Sequence, residues 1–127
     1  MRILIYGLSG AGKTVLTEKL STYLEYSVIN GEEIRRFYND WDFTPEGRLK
    51  HANRIADLAD SQLNVIIDMV CPLASMRKII APDVTILMDT IPYCQYEDTN
   101  HMFEKGNPSH TIHSFDYDIK KLLEGHY

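Results

Sequence analysis

The chain has 127 residues, 44% of them hydrophobic and 24% charged, with a formal net charge of −5. This is one domain's worth of chain, near the lower end of what an α/β core needs and too apolar for a disordered polymer. The acidic balance argues against a dedicated nucleic-acid binder, and the four apolar residues between Arg2 and Gly7 are too few for a secretory or membrane-spanning segment. Cys71 and Cys94 follow no metal or redox spacing, which fits a reduced, cytoplasmic protein. No Lys or Arg lies between Lys78 and Lys105.

Arg2–Tyr6 (RILIY) reads as a short buried strand ended by glycine. From Gly12 the pattern turns helical, with Leu16, Leu20, Tyr23 and Leu24 on one face. Tyr26–Asn30 is a second strand, and Glu32–Tyr38 a short helix carrying Arg35 and Arg36. Thr44 is the expected N-cap of a longer helix, with Pro45 at its first position and Glu46 near the positive end of the dipole. Along that helix Leu49, Ala52, Ala56, Ala59 and Leu63 repeat at intervals of three and four. Asn64–Asp68 is a third strand, Pro72–Ile80 a helix and Asp83–Asp89 a fourth strand. Residues 90–109 show no period, and a short strand around Thr111–His113 precedes an end helix over Tyr117–Glu124.

Mostly apolar strands alternating with helices predict an α/β fold, a parallel sheet of about five strands with helices on both faces, in a single domain spanning residues 1–127. Ligands of such sheets bind at the carboxyl ends of the strands. Gly7, Asn30, Asp68 and Asp89 end four of the predicted strands and should gather on one rim.

Gly7–Thr14 (GLSGAGKT) matches G-x-x-x-x-G-K-[ST], set between an apolar strand and a helix as the P-loop requires. Glycines let consecutive backbone N–H groups approach an anion, and the following helix adds its positive end. Lys13 would reach the β- and γ-phosphates of ATP, and the Thr14 hydroxyl would ligate Mg²⁺. Asp68, closing the run NVIID, has the position of a Walker-B aspartate that holds Mg²⁺ directly or through water. Its alternative reading is a helix cap or a strand terminus.

GLSGAGKT, then NGEEIRR, then DFTPEGRLKHANRIADLA, then VCPLASMR, in this order and spacing, resembles the adenylylsulfate kinase family over residues 3 to about 90. A weaker similarity continues through FEKGNPSHTIHS. The resemblance implies a three-layer P-loop kinase that uses ATP and Mg²⁺. It implies that Gly7, Leu8, Ser9, Gly10, Ala11, Gly12, Lys13 and Thr14, with Val15 beyond them, hold the nucleotide. It also implies that Arg35 and Arg48 grip the anionic group of a nucleotide acceptor, that Phe43 stacks on its base, and that Arg77 lies near or supports that site. Guanidinium forks suit phosphate and sulfate oxygens, and an aromatic face suits a base. Singly, each has an ordinary explanation: Arg48 solvated on a first helical turn, Phe43 a hydrophobic staple, Arg35 paired with Glu32.

Two departures from the family stand out. Asn30-Gly31-Glu32 replaces Asp-Gly-Asp at the acceptor site, and Asn cannot act as a base. Asp68 on the neighbouring strand could supply the missing carboxylate. His51 stands where the family usually has Asn and could touch the acceptor or be a helix-surface residue. The segment PYCQYEDTNHMFEKGNP is acidic and aromatic where the family has a basic lid, and would need help from His101, from Arg77 or from another subunit of a homodimer.

The expected function is therefore transfer of the γ-phosphoryl of ATP to a hydroxyl of a small nucleotide-like acceptor, with the 3′-hydroxyl of adenylylsulfate as first choice. The alternatives are another hydroxyl acceptor, such as a modified nucleoside or a nucleic-acid end, or a non-catalytic ATP-binding module. A hydrolase would need an ordered water and a charge-stabilising finger, and the sequence offers neither.

Overall fold

The computed structural model describes residues 1–125 and 127. Along them run β1 (Arg2–Tyr6), α1 (Lys13–Leu24), β2 (Ser27–Asn30), α2 (Gly31–Tyr38), α3 (Pro45–Asp60), β3 (Val65–Asp68), α4 (Ala74–Ile80), β4 (Val84–Met88), α5 (Glu97–Met102), β5 (His110–Ile112) and α6 (Ile119–Leu123). The strands form one parallel sheet in the order β2-β3-β1-β4-β5. The central position of β1 explains its unbroken apolar run, because both of its faces are covered. Leu4 and Tyr6 join Val65, Ile67, Ala52, Ile55, Met76 and Ile80 on one side, whereas Ile3 and Ile5 join Ile66, Leu16, Leu20, Ile112 and Leu122 on the other. A period of two along the strands thus feeds two cores, one under α3 and α4 and one under α1 and α6.

Local chemistry sets the helix starts. The Thr44 hydroxyl accepts from Gly47 N at 3.1 Å, with Pro45 in the first turn, and the Asn30 side chain accepts from Glu33 N at 3.0 Å to open α2. Among the described residues, no helix is long and apolar enough to cross a membrane, and Cys71 and Cys94 are both free and buried.

The structure corrects several element readings. The buried face of α1 is Leu16, Thr17 and Leu20, and Tyr23 is exposed. Helix α3 stops at Asp60, leaving Leu63 87% exposed beyond it. Its buried residues are Gly47, Arg48, His51, Ala52, Ile55 and Ala59, so the face is turned from the apolar stripe read in the sequence. Two polar residues lie on that face because its amino-terminal half borders the strand ends and not the core. Tyr26 precedes β2, α4 starts at Ala74, α6 is confined to Ile119–Leu123, and β5 begins one residue earlier than expected. The unassigned stretch holds α5, pinned by Asn100, whose side chain donates to Cys94 O and accepts from Cys94 N, both at 2.8 Å. Six helical residues are too few to display a period.

These placements separate two apolar side chains that the sequence put on one stripe. Ile55→Ala, in a core with no exposure, should cost about 2–5 kcal/mol in urea unfolding. Leu63→Ala should change stability by less than about 0.5 kcal/mol, and a large loss there would mean that the end of α3 is misplaced.

Candidate active site

The carboxyl ends of β1, β2 and β3 meet in register: Ile5 pairs with Asp68, and Asn30 pairs with Asp68 from the other side. The chain leaves β1 at Gly7, where an added Cβ would stand 2.6 Å from the Met88 carbonyl oxygen, so only glycine passes beneath β4 there. Gly12 enters α1 at φ 94°, a left-handed conformation that side chains resist. Between them the loop folds on itself, with Ala11 N donating to Leu8 O at 3.1 Å and Ala11 buried. Thr90, just beyond β4, braces the loop from outside by donating to Ala11 O at 2.7 Å. Its signal in the sequence was its place directly after the fourth strand and its aspartate. Leu8, Ser9, Gly12 and Lys13 are half-buried; Gly10, Thr14 and Val15 are exposed.

Lys13 arches over this loop and donates to Leu8 O at 2.9 Å. Burial lowers its pKa, and the charge of Asp68 opposes that shift. Asp68 is buried at the end of β3, and burial raises its carboxyl above the usual range against the pull of Lys13. Its Oδ2 accepts from the Thr14 hydroxyl at 3.2 Å and from Asn30 Nδ2 at 3.3 Å. The Asn30 amide is therefore used at both ends, its oxygen capping α2 and its nitrogen holding Asp68. A carboxylate at position 30 could still cap the helix but could not donate to Asp68.

A second cluster lies where α2 and the start of α3 approach this rim. Arg35 and Arg48 are each 5% exposed. Arg35 Nη1 donates to Asp40 O at 3.1 Å and Asp42 O at 3.3 Å, and Arg48 Nε donates to Phe43 O at 2.9 Å. Their guanidinium carbons stand 4.3 and 5.3 Å from the centre of the half-exposed Phe43 ring. Burial lowers the pKa of both. Among the described residues neither forms an ion pair, whereas Arg36 pairs with Glu32 at 3.2 Å and Arg54 with Asp40 at 3.2 Å. Glu32 is thus spent on the exposed flank of α2. The Arg54–Asp40 pair, with Arg54 also 3.9 Å from the Tyr38 ring, borders the cluster and carried no motif that could have announced it.

His51 is 3% exposed behind these arginines, and its Nδ1 has no hydrogen-bond partner. An added Cβ on Gly31 would lie 3.4 Å from its Nε2, which locates the ring against the start of α2. Burial, with Arg35 and Arg54 adding to it, pushes its pKa down to about 4, so the ring is neutral at pH 7.

Arg77 is engaged elsewhere on the rim. Its guanidinium donates to Cys71 O at 2.8 Å and Glu104 O at 2.6 Å, and stands 4.5 Å from the Tyr6 ring centre. It thereby joins α4 to the segment between α5 and β5. His101 is exposed and pairs with Glu97 at 3.5 Å.

The arrangement offers a glycine-lined anion cradle, a lysine beside it, a hydroxyl and a carboxylate in contact, and two buried cations opposite. Thr14 and Asp68 are hard oxygen donors of the kind Mg²⁺ takes, few enough to leave positions for phosphate oxygens and water. Among the described residues no cluster of three or more His, Cys, Asp or Glu forms an all-protein metal cage.

Residues 1–115 match the family described as Adenylylsulphate kinase. No curated protein matches the sequence by itself. Among solved structures, the chain is similar to a cysteine-to-alanine mutant of the Mycobacterium tuberculosis APS kinase CysC, with 23% identity, TM-score 0.66 and coverage of 97% of this chain and 91% of that one. The same kinase in complex with AMPPNP and APS aligns at 18% identity and TM-score 0.68, covering 98% and 95%. Shikimate kinase from Aquifex aeolicus aligns at 14% identity and TM-score 0.73, again covering 98% and 95%. At these identities the likeness shows a shared fold.

The buried imidazole makes stability depend on pH. The folded pKa of His51, about 4, lies below the ordinary value of 6.5, so between those values the unfolded chain binds more protons. Its contribution is intact above pH 6.5 and is lost as the pH falls to 4. Urea midpoints compared at pH 7 and pH 4.5 should show a smaller acid loss in His51→Gln than in the parent protein; parallel losses would remove His51 as the cause.

Proposed function

Because the chain belongs to the adenylylsulfate kinase family and is an ATP-dependent P-loop kinase, we propose that it phosphorylates a hydroxyl of a small, anionic, nucleotide-like acceptor, adenylylsulfate at its 3′-hydroxyl being the first candidate. One observation carries this reading: among the described residues, Arg35 and Arg48 are buried cations without a direct ion pair, set around an accessible aromatic ring in a protein of net charge −5. The charges of Asp40 and Asp42 act on Arg35 and that of Asp98 on Arg48, but burial outweighs them. A buried charge that no carboxylate contacts is costly, so an anion is a natural occupant. A phosphate or phosphosulfate group would meet the guanidinium forks while its base lies against Phe43.

On the donor side, the loop from Gly7 to Thr14 and the first turn at Val15 would cradle ATP, with Lys13 leaving Leu8 O for the phosphates. Thr14 and Asp68 would hold magnesium, which when bound would neutralise charge on the phosphates. The acceptor oxygen attacks the γ-phosphorus, the bond to the β–γ bridging oxygen breaks, and ADP departs with that electron pair. The hydroxyl proton passes to Asp68. A loose transition state asks little of a base, so a carboxylate held at the end of β3 by Thr14 and Asn30 suffices. Asn30 keeps the carboxylate oriented, and neutral His51 would lie behind the acceptor between Gly31 and the arginines.

A product assay with ATP, Mg²⁺ and a panel of hydroxyl acceptors tests the reading. The panel should include adenylylsulfate, nucleosides and, because the fold is shared with shikimate kinase, non-nucleotide polyols. With the preferred acceptor, Arg48→Ala should raise KM or lower kcat by roughly ten- to a hundredfold, the worth of a charge-assisted bond, and hardly change ATP affinity. An equal loss of ATP binding would move Arg48 to the donor side.

The same assay separates a working kinase from an ATP-binding module. If Asp68 has taken over the carboxylate's work, Asp68→Asn should abolish transfer, and Asn30→Asp should lower it by setting two carboxylates side by side. If the parent binds ATP but transfers nothing and Asn30→Asp restores turnover, the chain is a decayed kinase and the role given to Asp68 is wrong.

A further inference from the structure

The end of β4 and the residues after it lie against the phosphate loop. The Met88 carbonyl oxygen crowds Gly7, Thr90 bonds Ala11, and an added Cβ on Gly10 would touch Ile91 at 3.8 Å. Asp89 sits within this seam, its N–H bound to Ile112 O at 2.8 Å. From here to Ser109 the chain carries one Lys or Arg, Lys105.

The backbone at Lys105 is fastened to the sheet from several sides. The Tyr6 hydroxyl donates to its carbonyl oxygen, and Glu104 O accepts from Arg77 at 2.6 Å. Glu104 N donates to Pro72 O at 2.8 Å, and Glu104 Oε1 accepts from Ala74 N at 3.1 Å. Phe103 stacks on Tyr6 with 6.2 Å between ring centres. In contrast, the Lys105 side chain is 64% exposed, and its ammonium rests 3.1 Å from Asp89 Oδ2, with His113 Nδ1 3.8 Å from the same oxygen.

We infer that Lys105 is a second phosphate-binding lysine. With a nucleoside triphosphate in the loop, its ammonium leaves Asp89 for the γ-phosphoryl oxygens and supplies the positive charge that the rest of this segment lacks. This rests on reading the loop as the ATP site. An exposed lysine–carboxylate pair contributes little, whereas a lysine–phosphate bond is charge-assisted and strong, so the exchange runs toward phosphate. The fastened backbone means that only the side chain has to be ordered. Asp89 is a parking place one residue from the loop's brace, which keeps the ammonium near the site without filling it.

Calorimetric titration with Mg²⁺ plus ADP, and with Mg²⁺ plus a non-hydrolysable ATP analogue, tests the assignment without any acceptor. Lys105→Met should weaken the analogue by roughly tenfold or more, the worth of one charge-assisted bond, and leave ADP nearly unchanged. Lys105→Arg should keep most of the preference for the triphosphate, and Asp89→Asn should not weaken the analogue. Equal effects on both nucleotides, no effect on the analogue, or a loss in Asp89→Asn matching Lys105→Met would overturn the inference and leave Lys105 a strut. A parent protein that binds neither nucleotide would instead refute the ATP site itself, and this proposal with it. The side chain is exposed, so the variants should melt with the parent, which a thermal scan checks.

Discussion

The carboxylate of Asp68 is the point on which the rim depends. Thr14, from the loop after the first strand, and Asn30, from the end of the second, both donate to its Oδ2, and the charge of Lys13 acts on it. These residues meet because β3 lies between β1 and β2 with all three strands parallel. In a strand, a slip of one residue would send the Asp68 side chain to the opposite face. Register therefore decides the chemistry, and the apolar alternation that feeds two cores decides the register. Burial works against both charges of the pair, and each charge offsets part of the other's desolvation.

Across the molecule the arginines divide by their partners. Arg2, Arg36 and Arg54 have carboxylates within reach and serve as struts. Arg35 and Arg48 are held in place by backbone carbonyls, which orient a guanidinium without neutralising it. Among the described residues, a net acidic protein thus keeps two buried guanidiniums out of direct ion pairs, with the charges of Asp40, Asp42 and Asp98 acting on them from beyond contact. The cap at Thr44 is part of this device, since it starts α3 where Arg48 falls on the inward face beside Phe43.

The stretch between β4 and β5 shows how a segment of acidic and aromatic residues is ordered without a core of its own. Tyr6, the last residue of the central strand, stacks with Phe103, lies under Arg77 and bonds the backbone at Lys105. One side chain thereby couples the strand that leads into the phosphate loop to the segment facing it. Arg77, expected near the acceptor, is the cation that closes this contact.

The alternation of strands and helices was legible in the sequence, as were the glycine loop with its lysine and the aspartate ending NVIID. Each is a matter of local spacing: apolar periods, caps, and a turn only glycine can make. Less was legible where a face mixes purposes. Helix α3 turns polar residues inward at one end and apolar ones at the other, so counting hydrophobic residues misjudged its orientation and its end. Helix α5 was too short to leave a period. The electrostatic state of the rim was decided by tertiary structure alone: that Asn30 serves Asp68, that Arg35 and Arg48 are buried without a direct ion pair among the described residues, that His51 is neutral, and that Arg77 fastens a distant segment. A side chain's charge and bonds depend on burial and on neighbours brought from far along the chain, and residue spacing carries no record of either.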